Sequence, residues 1–490
     1  MSFLSGIEDK TSSVMNSKNI NQLFSIDHSN IWHPFTQEKL NPTKFIVKSA
    51  KNDILSVVDE RGNQRELIDA ISSWWVNIHG HCNKYINDRI KEQLDTLEHV
   101  IFAGFSHEPA IELIDKLRRI LPRVDMTNLH ETAPSLNRAF FSDNGSTAVE
   151  VAIKMAIQYW HNQGRENKKR IIALKDSYHG DTVGAMSSSG SGYHTQAFKS
   201  LLFPVDFVSS PAPKLGKRDK NLSAEEYDKF VELETQKAAD QTIAEIEKLL
   251  QIHPNKYACI IVEPLVQAAG GMKFYSKEFL QKLRKLTREN KVLFIADEVF
   301  TGFGRTGDDF ACKEAVIVPD IICLSKGLTG GYMPMSLTFC NDEIYSVFYD
   351  DSKLKAFFHG HSYTGNPLAC AAANASYDLY VKEKRLDDVK FINQKMHLTL
   401  NIPEIKLHPL VRNLRILGGI AAIEFETARE TSYFDGLGQL LHEKFLERGI
   451  LLRPLGNTLY FLPPYTISIS SLEHCLSSLK EVINELDYDI

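Results

Sequence analysis

Cysteine is scarce in this chain of 490 residues. Cys82, Cys259, Cys312, Cys323, Cys340, Cys370 and Cys475 are scattered, and none falls in a CxxC or paired-ligand spacing. That speaks against a disulfide framework and against a metal centre, and leaves reduced, mostly buried thiols. Long apolar runs are missing too: none approaches the ~18–20 residues that span a bilayer. The opening MSFLSGIEDKTSSVMNSKN has no basic segment followed by an apolar stretch, so no signal peptide is read and the expected location is the cytoplasm, away from any membrane. There is no basic excess either. With 56 Lys+Arg against 62 Asp+Glu the net charge is −6, and such a surface does not draw phosphate backbones, so nucleic acid is not an expected partner. Internal repeats and low-complexity tracts are lacking. What remains is a composition of 43% hydrophobic and 24% charged residues, ordinary for a globular protein. The length fits two to four domains, or one large domain with a satellite.

Six short runs read as buried strands of a parallel sheet: RAFFS (138–142), RIIALK (170–175), YACIIVE (257–263), KVLFIADE (291–298), DIICLSK (320–326) and MSLTFC (335–340). They are almost continuously apolar, as strands covered on both faces are. Helical periodicity separates many of them. Residues 146–160 place Val149, Ala152, Ala156 and Tyr159 on one face, and residues 276–290 do the same with Phe279, Leu280, Leu283 and Leu286. Alternating strands and helices predict an α/β fold with a doubly wound sheet. The stretch 209–248 reads as a loop and a solvated helix, and the first ~25 residues as a polar, mobile tail. The runs LRILGGIAAIEF, ILLRPL and TLYFLPP point to a second, smaller sheet near the C-terminus.

In a doubly wound sheet, ligands bind where strands end, so polar residues at those ends carry most information. In FFSDNGSTAVEVAIKMA (140–156), a strand ends at Asp143, Gly145 opens a turn and a helix starts near Ser146. Free amides there could cup a phosphate. A plain helix cap reads the same way, and Thr147 with Glu150 has capping-box spacing. In VLFIADEVFTGFGRTG (292–307), a strand delivers Asp297 to its end, where a carboxylate needs a partner or caps the next turn. The GFGRTG that follows matches neither GxGxxG nor the P-loop, which rejects nucleotide binding. In PDIICLSKGLTGGYMP (319–334), Lys326 ends a buried strand. It either snorkels to the surface or, held against apolar groups, acts as a nucleophilic amine. Together, a phosphate cup, a strand-end acid and a strand-end lysine are what pyridoxal 5'-phosphate requires.

Over nearly its whole length, from about residue 30 to 465, the chain resembles the class III aminotransferases among fold-type I pyridoxal-phosphate enzymes. The resemblance rests on IWHPFTQ (31–37), ISSWWVNIHGH (71–81), DNGSTAVEVAIKMAIQYW (143–160), SYHGDTVGAMSSSG (177–190), EPLVQAAGGM (263–272), ADEVFTGFGRTG (296–307), LSKGLTGGYMP (324–334), FHGHSYTGNPLACAAANAS (358–376) and LLRPLGN (451–457). The SSWW, QYW and RPLG segments narrow it to the branch serving biotin synthesis.

That resemblance implies roles. Lys326 would be the Schiff-base lysine and the proton carrier. Asp297 would pair with the pyridinium nitrogen, Gly145 and Ser146 would hold the phosphate through backbone amides, and Tyr178 would stack on the ring beside the substrate. A family threonine that reaches the neighbouring subunit's phosphate is replaced by Ser362, preceded by His361 where proline is often found. Arg453 would receive the substrate carboxylate, Trp74 would wall its apolar chain, and Gly360 would leave it room. Phe35 stands where some members have a tyrosine close to the amino donor. His79, His81, His179 and His359 are expected to be structural. The resemblance further implies a homodimer, with a large cofactor domain (72–382) and a small α+β domain built from 1–71 and 383–490. The implied reaction is a ping-pong transfer of an amino group to 8-amino-7-oxononanoate, giving 7,8-diaminononanoate. The donor would be S-adenosylmethionine, with lysine left open by Phe35. A broad ω-amino acid:pyruvate aminotransferase is the alternative, against which Arg453 and the Trp74–Trp75 pair speak.

Overall fold

All six apolar runs form strands, and a short seventh joins them. The computed structural model describes residues 19–127, 135–190, 192–219, 221–427 and 436–486. Its central sheet contains β1 (Leu136–Ser142), β2 (Arg170–Leu174), β3 (Asp206–Val208), β4 (Tyr257–Val262), β5 (Leu293–Asp297), β6 (Ile321–Leu324) and β7 (Ser336–Asn341). The order is β1-β7-β6-β5-β4-β2-β3. Pairings from β6 through to β3 are parallel. The run 335–340, expected among the parallel strands, instead pairs antiparallel with both neighbours. Its connection from β6 is a 3-10 turn, Lys326–Thr329, closed by left-handed Gly330, with no room for the crossover a parallel return needs. Because β7 is reversed twice over, β1 still points the same way as β6.

Every residue of β4, β5, β6 and β7 is buried. Successive side chains enter opposite cores. Ile261, Ile295 and Cys323 pack with Val149, Ala152 and Ala156 of the helix Gly145–Asn162. Ile260 and Phe294 pack with Phe279 and Leu283 of the helix Lys277–Glu289 on the other face. The charged stretch resolves into a loop and the helix Ala224–Ile252, started by a Ser223–Glu226 capping box.

Two smaller sheets flank this core. Strands Phe45–Lys51, Ile54–Asp59 and Gln64–Asp69 form an antiparallel meander, and Ile450–Leu451 adds to its edge in parallel with Ile68–Asp69. Strands Val411–Leu417, Ile420–Phe425 and Thr458–Phe461 form the other. The C-terminal runs read as one small sheet are thus divided between two, because the chain turns at Pro454 and left-handed Gly456. Part of the expected mobile tail is ordered, because Ile20–Asn30 is a helix with Phe24 buried; the rest of that expectation falls on residues 1–18, outside the described residues. Six cysteines are buried and Cys82 is exposed. Among the described residues, no helix is long and apolar enough to cross a membrane.

One buried ion network clamps the base of the sheet. Arg284 donates Nη1 and Nη2 to the two oxygens of Asp320, at 2.8 Å each. Asp320 Oδ2 also accepts the Phe294 N–H at 2.7 Å, and Arg288 Nη2 donates to buried Asp125 at 2.7 Å. The network fixes the helix Lys277–Glu289 at the start of the strands whose far ends carry Asp297 and Lys326. Removing one partner leaves buried charge uncompensated. Arg284→Ala is therefore expected to lower unfolding free energy by about 3–5 kcal/mol in a urea titration.

Candidate active site

Four strand ends converge on one side of the sheet. β1 leads into Asp143 and Asn144, β4 into Glu263, β5 ends in Asp297, and β6 leads through Ser325 to Lys326. Between them lies a cavity of about 420 Å³, and five residues singled out from the sequence line it: Gly145, Ser146, Tyr178, Asp297 and Lys326.

The cup starts with Asn144, the N-cap of the helix Gly145–Asn162. Its side chain accepts the Thr147 N–H at 3.0 Å, while Thr147 Oγ1 accepts the Asn144 N–H at 3.1 Å. The capping box is therefore Asn144–Thr147, one turn earlier than the Thr147–Glu150 spacing implied. Glu150 does other work: its carboxylate accepts the N–H groups of Gly184 and Ala185 at 2.7 and 3.2 Å, tying the segment after Tyr178 to the helix. The box leaves the N–H groups of the first two helical residues, Gly145 and Ser146, without intrahelical partners beside the cavity. The fit is tight. A Cβ on Gly145 would lie 2.6 Å from Val299 Cγ1, and Gly180, at φ +127°, lies so close to Ser146 that its Cβ would collide with the hydroxyl.

Asp297 is buried, and both its oxygens are engaged. Oδ2 accepts Nδ1–H of His179 at 2.7 Å, and Oδ1 accepts the Val299 N–H at 3.1 Å. The capping of the next turn and the search for a partner are both met by the same carboxylate. His179, expected to be structural, touches the acid directly. Its position is held by its backbone N–H donating to Ser189 Oγ at 2.9 Å, and its second nitrogen, Nε2, is buried without a hydrogen-bond partner among the described residues. The sequence signal was adjacency to Tyr178 in SYHGD, which says nothing about which strand end the ring reaches.

Glu263 was also missed as a site residue. It is 4% exposed and lines the cavity. Oε2 accepts the Tyr178 N–H at 3.0 Å and Oε1 the Ala268 N–H at 3.1 Å. Burial, reinforced by nearby Asp297, pushes its carboxyl up to about 7. Tyr178 is thus anchored at its backbone, and its hydroxyl donates to Asp181 Oδ2 at 2.9 Å. Burial and Asp181 hold that phenol well above its ordinary range.

Lys326 takes a left-handed conformation, φ +45°, which turns its side chain into the cavity rather than out to solvent. Burial lowers its amine to about 8, although Asp297 and Glu263 act in the opposite sense. An amine near neutrality can both accept and give up a proton.

The other sequence-predicted residues lie outside this cavity. Trp74, Phe35 and Arg453 form their own cluster: the Phe35 and Trp74 rings are 5.8 Å apart, the Arg453 guanidinium is 4.8 Å from the Trp74 ring, and Arg453 Nη2 donates to Phe35 O at 3.4 Å. It is Trp75, not Trp74, that lines the cavity. Of Gly360, His361 and exposed Ser362, it is His361 that reaches the cup's entrance, its Nε2 2.8 Å from Asp143 Oδ1. His79, read as structural, is buried with Nε2 3.0 Å from Ser376 Oγ, and burial lowers it to about 3.

A strand-end lysine, a buried acid and a helix-start cup on an α/β sheet define a class, and the chain belongs to it: the family described as Aminotransferase class-III matches residues 35–483. The adenosylmethionine-8-amino-7-oxononanoate aminotransferase of Synechococcus elongatus is 44% identical over 462 residues, covering 94% of this chain and 99% of that protein. The enzyme of the same name from Helicobacter pylori is 35% identical over 469 residues, covering 95% and 98%. Among solved structures, the enzyme of that name from Methanocaldococcus jannaschii superposes with a TM-score of 0.82 at 34% identity, covering 96% of this chain and all of that one. An amine transaminase from an uncultivated Pseudomonas species, in its PLP-bound form, gives 0.80 at 26% identity over 94% of this chain and 99% of that one. The fold is the fold-type I transaminase fold.

Glu263 gives this site a pH signature. Its carboxyl titrates higher folded (about 7) than in a free chain (4.5), so the native state holds a proton the unfolded chain has lost. Its contribution is fully favourable below pH 4.5 and is lost as pH rises to about 7, by roughly 3 kcal/mol in all. Glu263→Gln lacks that titration. Its stability relative to the wild type should therefore improve between pH 5 and 7.5, measured by denaturant unfolding at both values.

Proposed function

We propose that this chain transfers an amino group to 8-amino-7-oxononanoate, forming 7,8-diaminononanoate in biotin synthesis, with pyridoxal 5'-phosphate as cofactor. The observation that carries the proposal is the meeting of Lys326, the Asp297–His179 pair and the Gly145–Ser146 cup in one cavity. The fit to the cofactor rests on three local features: amides without helical partners at the cup, glycines where any side chain would collide, and a strand-end carboxylate aimed at the cavity. When bound, pyridoxal phosphate supplies an aldehyde on which amines exchange and a ring that withdraws electrons from the carbon losing its proton.

The chain's own groups do the rest. Gly145 and Ser146 hold the phosphate with backbone N–H groups. Asp297, rotationally fixed by His179, would pair with the ring nitrogen, and Tyr178 would cover the ring. Lys326 is the residue that would hold the cofactor through Nζ, and the same nitrogen, once free, is placed to accept and return the substrate proton. Arg453 receives the substrate carboxylate, its guanidinium plane steadied by Trp74, while Trp74 and Phe35 border the apolar chain. The donor is S-adenosylmethionine; lysine is the second reading, favoured by Phe35, which offers no hydroxyl to the donor. The enzyme works in the cytoplasm as a homodimer, in which His361 and Ser362 serve the neighbour's cup while Gly360 leaves room for the substrate; the exposure of Ser362 supports that placement. The chain divides into a cofactor domain, 72–382, and a small domain from 1–71 and 383–490, as the pairing of Ile68–Asp69 with Ile450–Leu451 supports.

The purified protein with pyridoxal phosphate should yield 7,8-diaminononanoate from 8-amino-7-oxononanoate, with S-adenosylmethionine and lysine compared as donors. No product with either donor, together with turnover of simple ω-amines and pyruvate, overturns the substrate assignment. Lys326→Ala should lose the borohydride-reducible cofactor adduct, and kcat should fall by about 10²–10⁴-fold or more.

A further inference from the structure

Among the described residues, the segment after strand Gln64–Asp69 holds the longest run of left-handed non-glycine backbone. Ser72, Ser73, Trp74 and Trp75 are all left-handed, with φ of 51°, 45°, 68° and 76°. Four successive non-glycine residues in that region persist only where their surroundings hold them there. Here Asp69 does so: its buried carboxylate accepts the Ser73 N–H at 2.8 Å and the Ser73 hydroxyl at 2.7 Å, and His81 Nε2 lies 2.9 Å away.

The turn aims its two indoles in different directions. Trp74 meets Arg453, whereas Trp75, 5% exposed, enters the cavity. The Trp75 ring is set by packing alone. Phe300 crosses it edge-on at 4.9 Å and Tyr460 at 5.9 Å, while its Nε1 is buried with no hydrogen-bond partner among the described residues. Lys326 Nζ lies 4.7 Å from the Trp75 ring centre and 5.5 Å from that of Phe300. Among the described residues, no hydrogen bond or ion pair reaches that nitrogen. The charged or titratable groups facing it are Asp297 from the end of β5, Glu263 from the end of β4 and Arg305 from the loop beyond β5, with Asp143, Tyr178 and His179 lining the same cavity.

We propose that Trp75 and Phe300 form an aromatic seat for the protonated Lys326 amine, and that Trp75 is a positioning residue that holds it there whenever the lysine is released. An ammonium is attracted to the negative face of an indole, most of all where water is excluded. The seat stabilises the charged form and so opposes the burial that drives the amine toward neutrality. It keeps the released amine inside the cavity without a carboxylate clamp, which would block its return as a nucleophile. The inference rests on the reading that Lys326 takes up the cofactor.

The test uses the full chain, freed of cofactor, and two readouts. The first is competitive acetylation by acetic anhydride as a function of pH, with Lys326 followed by peptide mass spectrometry. The second is the pH dependence of pyridoxal phosphate uptake, followed by absorbance. Trp75→Leu keeps the burial and removes the aromatic face, so the Lys326 acetylation midpoint should fall by about one pH unit. Trp75→Phe should fall less, and Phe300→Leu should also fall less than Trp75→Leu, its ring being the more distant. Loosened packing moves the midpoint the other way, up toward that of an ordinary lysine. An unchanged or raised midpoint in Trp75→Leu, or an equal fall in Trp75→Phe, overturns the proposal. If the wild type takes up no pyridoxal phosphate, the function proposed above fails, while the acetylation midpoints still decide the seat.

Discussion

The contact between His179 and Asp297 is the constraint on which the site depends. Strand β5 is apolar because both its faces are covered, yet it ends in a buried carboxylate. Such a group costs several kcal/mol unless it is paired. His179 supplies the pairing at 2.7 Å and at the same time fixes the direction of the acid. Every other ionisable group nearby is placed around that solution. Glu263, the next carboxyl along the sheet edge, is pushed toward neutrality and bound by backbone N–H groups. Arg305 is buried against the Tyr465 ring, 4.9 Å from its centre, with Nη1 donating to Pro463 O at 3.2 Å. The sheet edge is a place where charge is tolerated because each group has been given a specific neighbour.

Much of the fold was legible because burial on two faces leaves an unmistakable trace. YACIIV and LFIAD have no polar residue before their ends, and both are strands. The helix Lys277–Glu289 was equally plain, its apolar face being flanked by charges on all other sides. What escaped was direction. MSLTFC is as apolar as its neighbours, and only the tightness of the turn after Lys326 decides that it runs backwards. Sheet membership escaped as well: ILLRPL and TLYFLPP are close in sequence, but the first pairs with Ile68–Asp69 near the other end of the chain and the second with the nearby strand Ile420–Phe425.

The site shows the same division. Gly145, Asp297 and Lys326 stand at the ends of strongly patterned segments, so their residue type and place could be read together. Their partners could not. A histidine beside a tyrosine carries no sign of which strand end it will face. The glutamate in EPLVQAAGGM looks like any strand-terminating acid until its depth is known. The two tryptophans of SSWW are indistinguishable in sequence, and the left-handed backbone that sends one to Lys326 and the other to Arg453 is written in no motif.

The edge pairing of Ile450–Leu451 with Ile68–Asp69 has a consequence for how the molecule comes into being. At roughly 5–20 residues per second, a ribosome needs tens of seconds to make the chain between these two segments. Through that interval the strand that ends in Asp69 has an open edge, and Asp69 is the residue that holds the tryptophan turn. The central sheet, by contrast, is complete once Asn341 has emerged. Synthesis thus delivers the cup, the acid and the lysine before Arg453 and Tyr460, the neighbours that the two tryptophans meet. Between the emergence of Asn341 and that of Ile450 the nascent enzyme holds a complete central sheet beside an unfinished small one, which closes only when a late strand reaches back to an early one.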